Sequence, residues 1–187
     1  MNTCHLPPAI HPMLIPPHPY HLRPMQLSDV PAVRAIEKVS LPTPTKKGMF
    51  EHELTNNSLA HYQVLTVGET AVIGYSGFWL IADELHVIII AIHPDWRRRG
   101  LGELLLLNMF SMTEPQPLTL ANLEVRASNT AAQRLYQKYG FTVGYERPKY
   151  YRDGETALVM TAVLPLPALR QRTHALLTRL QSEAERL

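Results

Sequence analysis

Apolar positions change period along this chain, and the changes mark out a mixed α/β order. Residues 62–67 and 71–81 are rich in β-branched and aromatic side chains and are separated by Gly68 and Glu69, which predicts two antiparallel strands joined by a turn. Residues 85–92 are the most apolar stretch. There Val87, Ile88, Ile89, Ile90 and Ile92 run almost without interruption, which predicts a strand covered on both faces. Residues 103–112 carry leucine around most of a helical wheel, which predicts a buried helix closed by Pro115 and Pro117. Strands follow over 118–125, 141–146 and 156–163, the last two joined by a turn at Asp153 and Gly154. A helix over 129–139 is stopped by Gly140.

Nearer the N-terminus, a strand over 21–25 precedes a helix that Ser28 or Asp29 can cap. Pro31 sits in its first turn, Val33, Ile36 and Glu37 lie along it, and Pro42 and Pro44 end it. A second helix covers 48–54. Residues 1–20 are crowded with proline and histidine, which predicts a flexible tail. His5, His11, His18 and His21 are irregularly spaced and lack a scaffold, so no metal site is expected. Residues 166–187 place Leu169, Leu176, Leu177 and Leu180 on one helical face, which suits docking on the core or a homodimer contact. The expected organisation is a tail (1–20), one α/β domain (21–165) and a C-terminal amphipathic helix.

Composition narrows the function. A chain of 187 residues, 45% hydrophobic and 18% charged, suits one globular core, and no apolar run approaches the roughly 18 residues that would span a membrane. A net charge of +2 is too small and too scattered for a nucleic-acid face, since only Arg97, Arg98 and Arg99 cluster. Cys4 alone excludes an intrachain disulfide, and no basic stretch followed by an apolar core opens the chain. Both point to a reducing cytoplasm.

The chemistry starts at HPDWRRRGLG, between the apolar strand and the leucine-rich helix. A strand, an arginine-rich turn, two glycines and a helix can hold a pyrophosphate. Amides of the first helical turn lack partners, the helix dipole favours an anion, and Gly100 and Gly102 admit close approach. An ordinary strand-to-helix turn is the plainer reading of such a short motif. No lysine followed by serine or threonine comes after the second glycine, and no third glycine is present, so neither common nucleotide loop fits.

Residues 90–103 resemble the cofactor motif of the GNAT acetyltransferases, of the form Arg/Gln-x-x-Gly-x-Gly/Ala. LEVRASNTAAQRLYQKYGF, from Leu123 to Phe141, followed by Tyr150, Tyr151 and ALVM, is similar to the RimI branch, the ribosomal-protein-alanine N-acetyltransferases. The resemblance spans roughly residues 22–163. It implies a mostly antiparallel sheet splayed between its fourth and fifth strands, flanked by helices, with acetyl-coenzyme A as co-substrate and no metal. It also implies that Ile90, Ala91 and Ile92 bind the acetyl-pantetheine arm, that Arg98, Arg99, Gly100, Leu101, Gly102 and Glu103 hold the pyrophosphate, and that Asn129 touches the cofactor.

Acetyl transfer needs an uncharged amine, a site for the developing oxyanion and a proton for the leaving thiolate. Strand alternation puts Glu124 opposite Leu123 and Val125, facing a cleft, and the resemblance makes it the base; spacing alone favours a pair with Arg126 or another surface cation. Tyr136 shares a helical stripe with Ala132, Leu135 and Tyr139, the pattern of a core tyrosine, whereas the resemblance makes it the general acid. Asn129 is also a plain helix cap. His86 and Glu84, on one face of the preceding strand, are rival bases, and the amide of Ile92 would meet the oxyanion. An α-amine (pKa about 8) is uncharged roughly a hundred times more often at neutral pH than a lysine amine (about 10.4), so a modest base suits a protein N-terminus. Within the resemblance the acceptor is the N-terminal alanine of a small-subunit ribosomal protein. A small amine or lysine acceptor, or an inactive acyl-coenzyme A sensor, are the alternatives.

Overall fold

In the computed structural model, which describes residues 11–185, seven strands form one sheet in the order β1-β2-β3-β4-β5-β7-β6. They are β1 (Tyr20–Pro24), β2 (Ala60–Val67), β3 (Ala71–Ile81), β4 (Glu84–Ile92), β5 (Leu120–Arg126), β6 (Thr142–Arg147) and β7 (Ala157–Val163). Every neighbouring pair is antiparallel except β4 and β5. The helices are α1 (Val30–Ser40), α2 (Met49–Asn56), α3 (Leu101–Thr113), α4 (Thr130–Lys138) and α5 (Leu169–Ala184).

Two apolar layers sandwich the sheet. On one face, Val33, Ile36 and Phe50 from α1 and α2 pack on Tyr62, Val64, Tyr75 and Ala91. On the other, the leucines of α3 meet Leu85, Val87, Leu123 and Met160, and Leu176 and Leu180 of α5 join them. α3 is buried almost all round because it lies between the sheet and α5.

The site is made where β4 breaks its own rules. The β3–β4 register passes from Phe78↔Val87 to Gly77↔Ile89, so Ile88 is an extra, bulged residue. A one-residue slip exchanges the faces of every later side chain. Leu85 and Val87 accordingly join the α3 layer, but beyond the bulge it is Ile90 and Ile92 that do so, while Ile89 and Ala91 turn to α1 and α2. Pairing with β5 also stops, at Val87↔Leu123. From there β4 and β5 diverge, which opens the sheet between its fourth and fifth strands. The expectation that both faces of β4 are covered holds beyond the bulge, where the two layers take alternate residues; at the opening itself Ile88 is exposed, and Ile89 and Ile90 are half-buried.

Two local expectations also change, and a third, left open between two options, is decided. Asp29 does not cap α1 with its side chain; it accepts from the Gln26 amide at 2.8 Å and pairs with Arg23 at 2.6 Å, fastening β1 to the helix entry. The tail is not loose up to residue 20. Residues 1–10 lie outside the described chain, but the His11 amide donates to the Met112 carbonyl, the Leu14 amide donates to Asn108 Oδ1 at 2.7 Å, and Met13 and Leu14 pack on the core. Of the two docking options for the C-terminal helix, α5 takes the core: its buried face, Thr173, Leu176 and Leu180, is turned toward α3 and is not left for a second copy.

Candidate active site

A cavity of about 440 Å³ opens where β4 and β5 part. Its walls are the α1–α2 connection (residues 41–45), Ile88 to Ile90 of β4, Leu123 to Arg126 of β5, Tyr136 of α4, and Tyr150 and Tyr151. A second cavity of about 410 Å³ shares Ser40, Leu41, Pro42, Ile90, Arg126 and Asn129 with the first and continues past Ala91 and Ile92 to Arg97 and Ser128. The two form one cleft that runs along the free edge of β4.

Glu124 projects from the exposed face of β5, opposite buried Leu123 and Val125, as alternation requires. Its Oε1 accepts from Arg147 Nη1 at 2.9 Å, and the Tyr151 hydroxyl lies 3.5 Å from its backbone oxygen. The sequence offered Arg126 as a partner, but Arg126 is engaged elsewhere. It donates to Asp153 at 2.8 Å, to Glu155 at 2.6 Å and to Thr43 Oγ1 at 2.5 Å, and stacks 3.9 Å from the Tyr151 ring centre. These bonds tie β5 to both cavity walls. Burial pushes the Tyr151 phenol up to about 12, against the lowering influence of Arg126.

Tyr136 is 8% exposed and packs on Phe141, the core position its stripe predicted, and it also lines the cavity. Burial, with a smaller contribution from Tyr151, raises its pKa, so the phenol keeps its proton. Asn129 caps α4, accepting from the Ala132 amide at 3.1 Å, and lines both cavities. Glu84 and His86 pair with each other at 2.9 Å, and Glu84 also accepts from Asn122 at 2.7 Å; neither lines a wall of the cleft. The Ile92 carbonyl accepts from Arg97 Nε at 3.0 Å and from Ser40 Oγ at 3.2 Å, which pins the end of β4.

Directly after Arg97, which lines the second cavity, the backbone from Arg98 to Glu103 forms an open turn. Arg98 (φ 64°) and Gly100 (φ 79°) are both left-handed, and Gly100 is the residue before α3. Among the described residues, the amides of positions 98–103 have no hydrogen-bond acceptor in the protein; the first amide of α3 to find one is that of Leu104, on the Gly100 carbonyl. A Cβ placed on Gly102 would meet nothing, so that side of the turn is open. Unpaired amides at the positive end of a helix fit the pyrophosphate of coenzyme A. The Glu103 side chain is turned aside, bound by Lys138 and the Tyr139 hydroxyl.

A sheet split at β4–β5, with a turn of unpaired amides beside the cleft and a carboxylate and a phenol on its walls, is the arrangement of an acyltransferase of the GNAT kind. The GNAT acetyltransferase domain matches residues 37–164, and the chain belongs to that family. It is 40% identical over 141 residues to a Bacillus subtilis (strain 168) protein provisionally named ribosomal protein bS18-alanine N-acetyltransferase, covering 74% of this chain and 92% of that one. The Escherichia coli (strain K12) ribosomal protein bS18-alanine N-acetyltransferase is 32% identical over 139 residues, covering 73% and 92%. A crystal structure of the Escherichia coli ribosomal-protein-S18-alanine N-acetyltransferase superposes with a TM-score of 0.70 at 28% identity, over 79% of this chain and 96% of that one. The mostly antiparallel sheet opened between β4 and β5, and the resemblance to the RimI branch, stand as the resemblance implied, and the parallel pairing of β4 with β5 is added by the structure. Sequence reasoning missed Arg147 beside Glu124 and the span of Arg126, because both depend on partners more than twenty residues away.

Proposed function

We propose that this enzyme transfers the acetyl group of acetyl-coenzyme A to the N-terminal α-amine of a protein, with an alanine-initiated ribosomal protein of the small subunit as acceptor, in the cytoplasm. The observation that carries this reading is the placement of Glu124 and Tyr136 on the walls of one cavity that is continuous with the free edge of β4. Relatives named for alanine N-acetylation of bS18 support the acceptor class.

Bound acetyl-coenzyme A would supply an acetyl thioester, its pyrophosphate on the amides of residues 98–103 and its arm beside Ile90, Ala91 and Ile92. Glu124 takes the proton of the acceptor amine, directly or through water. An α-amine is already uncharged in part at neutral pH, so a half-exposed carboxylate suffices where a lysine would demand far more. The buried Tyr136 phenol, protonated at the start, gives its proton to the departing sulfur. Tyr150 and Tyr151, stacked edge to face, form the side of the cavity where an extended N-terminal segment enters.

Thiol release measured on alanine-, serine- and methionine-initiated peptides, beside free lysine and polyamines, tests the proposal. Wild type is expected to prefer the alanine peptide, and Glu124→Gln to lose on the order of 10²- to 10⁴-fold in kcat. Turnover of small amines alone would refute the acceptor class, and an unimpaired Glu124→Gln would refute the base.

A further inference from the structure

The helix α5 lies wholly beyond residue 164, where the family match ends, yet it reaches Gly100 in the turn before α3. Leu176 and Arg179, one turn apart, close over Gly100. A Cβ placed on Gly100 would lie 3.2 Å from Leu176 Cδ1 and would collide with Arg179 Nη2. The guanidinium is thus set against the turn whose amides have no protein acceptor.

Among the described residues, Arg179 makes ion pairs but no hydrogen bond. Its nearest acidic groups, Glu103 Oε2 and Glu183 Oε1, are each 3.8 Å away, ion pairs without a hydrogen bond, and among the described residues it donates to no acceptor. Glu103 already accepts from Lys138 and from the Tyr139 hydroxyl. Arg172, two turns earlier on α5, is by contrast in use: it donates to the Lys138 carbonyl and stacks 5.1 Å from the Tyr139 ring, which fixes α5 against the end of α4. The helix is anchored by Leu176, Leu180 and Arg172, and it presents one half-exposed arginine with free donors to the mouth of the anion site.

We propose that Arg179 binds the phosphates of coenzyme A, so that α5 completes from outside the family domain the anion site that residues 98–103 begin. This rests on the reading of those residues as the pyrophosphate cradle. Arginine matches phosphate with paired N–H donors, and such charge-assisted bonds are strong where amides share the same anion.

Titration calorimetry of the full chain with coenzyme A and with dephospho-coenzyme A, over a range of salt, tests it without any turnover. Arg179→Gln is expected to weaken coenzyme A about tenfold and to flatten the salt dependence of Kd, because one cation has left the site. Arg170→Gln, a change on the same helix at a residue paired with Glu114, is expected to alter neither. Arg179→Lys is expected to keep the salt dependence and regain part of the affinity. Weakening of both ligands by Arg179→Gln puts the contact on the pyrophosphate, and weakening of coenzyme A alone puts it on the 3′-phosphate; either supports the proposal. Wild-type affinity in Arg179→Gln overturns it and leaves the cradle intact. Weakening with an unchanged salt slope and no recovery in Arg179→Lys overturns it too, because that is a packing defect. A wild-type chain that binds no coenzyme A refutes the cradle itself.

Discussion

Arg126 on β5 and Thr43 in the α1–α2 connection are joined by a 2.5 Å hydrogen bond across the cleft, although 83 residues separate them in sequence. The same guanidinium holds Asp153 and Glu155 of the β6–β7 connection, so one side chain, 11% exposed, sets the distance between two walls of the cavity. Arg126→Gln keeps a polar group but cannot span three partners. It is expected to raise KM for the acceptor peptide about tenfold while changing kcat by less than about threefold, the signature of lost uniform binding. Steady-state kinetics at saturating acetyl-coenzyme A measures this, and a fall in kcat with constant KM would contradict the positioning role.

Tyr136 combines a core ring with a hydroxyl at a cavity wall, and Tyr136→Phe separates the two. The ring contact with Phe141 survives in the variant, so its melting temperature should stay close to wild type. If the phenol donates to the leaving thiolate, kcat should fall by on the order of 10²-fold. Equal kcat in the variant would return Tyr136 to the core alone.

Much of this site could be read before any coordinates, and the reason is locality. Glu124 faces the cleft because alternation on a strand is a property of adjacent residues, and Asn129 caps α4 because its partner, the Ala132 amide, is three residues away. What escaped depends on long-range pairing. The bulge at Ile88 exists only relative to β3, and it breaks the alternation that the sequence would otherwise show: odd-numbered positions face the α3 layer before the slip and the α1–α2 layer after it, where both faces take apolar residues. The seating of Met13 and Leu14 likewise depends on Asn108, and the choice of α5 between the core and a second copy depends on α3.

Glu155 gives a pH test of the wall. Hydrogen bonds from the Ser128 side chain and amide, then from Arg126, hold its carboxyl at about 2, below its ordinary value of 4.5. A carboxyl depressed in the folded chain adds stability above its ordinary range and loses that contribution as pH falls through about 4.5 toward 2. Wild type should therefore melt above Glu155→Gln at neutral pH, with the gap narrowing below about pH 4.5 and closing near pH 2. Thermal melts of both proteins across that range measure it, and a gap that widens in acid would contradict the assignment.

Asn108 is the hinge of a buried polar chain. Its Oδ1 accepts from the Leu14 amide, its Nδ2 donates to Gln63 Oε1, and Gln63 Nε2 donates in turn to Ser76 Oγ at 2.7 Å. All three side chains are buried, so Asn108→Ala leaves a backbone donor and an amide oxygen without partners in an apolar surround. The expected cost is about 2 kcal/mol, which for a chain of this size lowers the melting temperature by roughly 4–8 °C. Because Leu14 loses its acceptor, its amide should also exchange with solvent markedly faster, while amides at the centre of α3 are slowed or sped only by the global loss. Hydrogen exchange resolved by residue distinguishes the two effects. A full loss of stability without faster exchange at Leu14 would mean that Asn108 serves the sheet through Gln63 and that the segment before β1 is held by Met13 and the His11 amide instead.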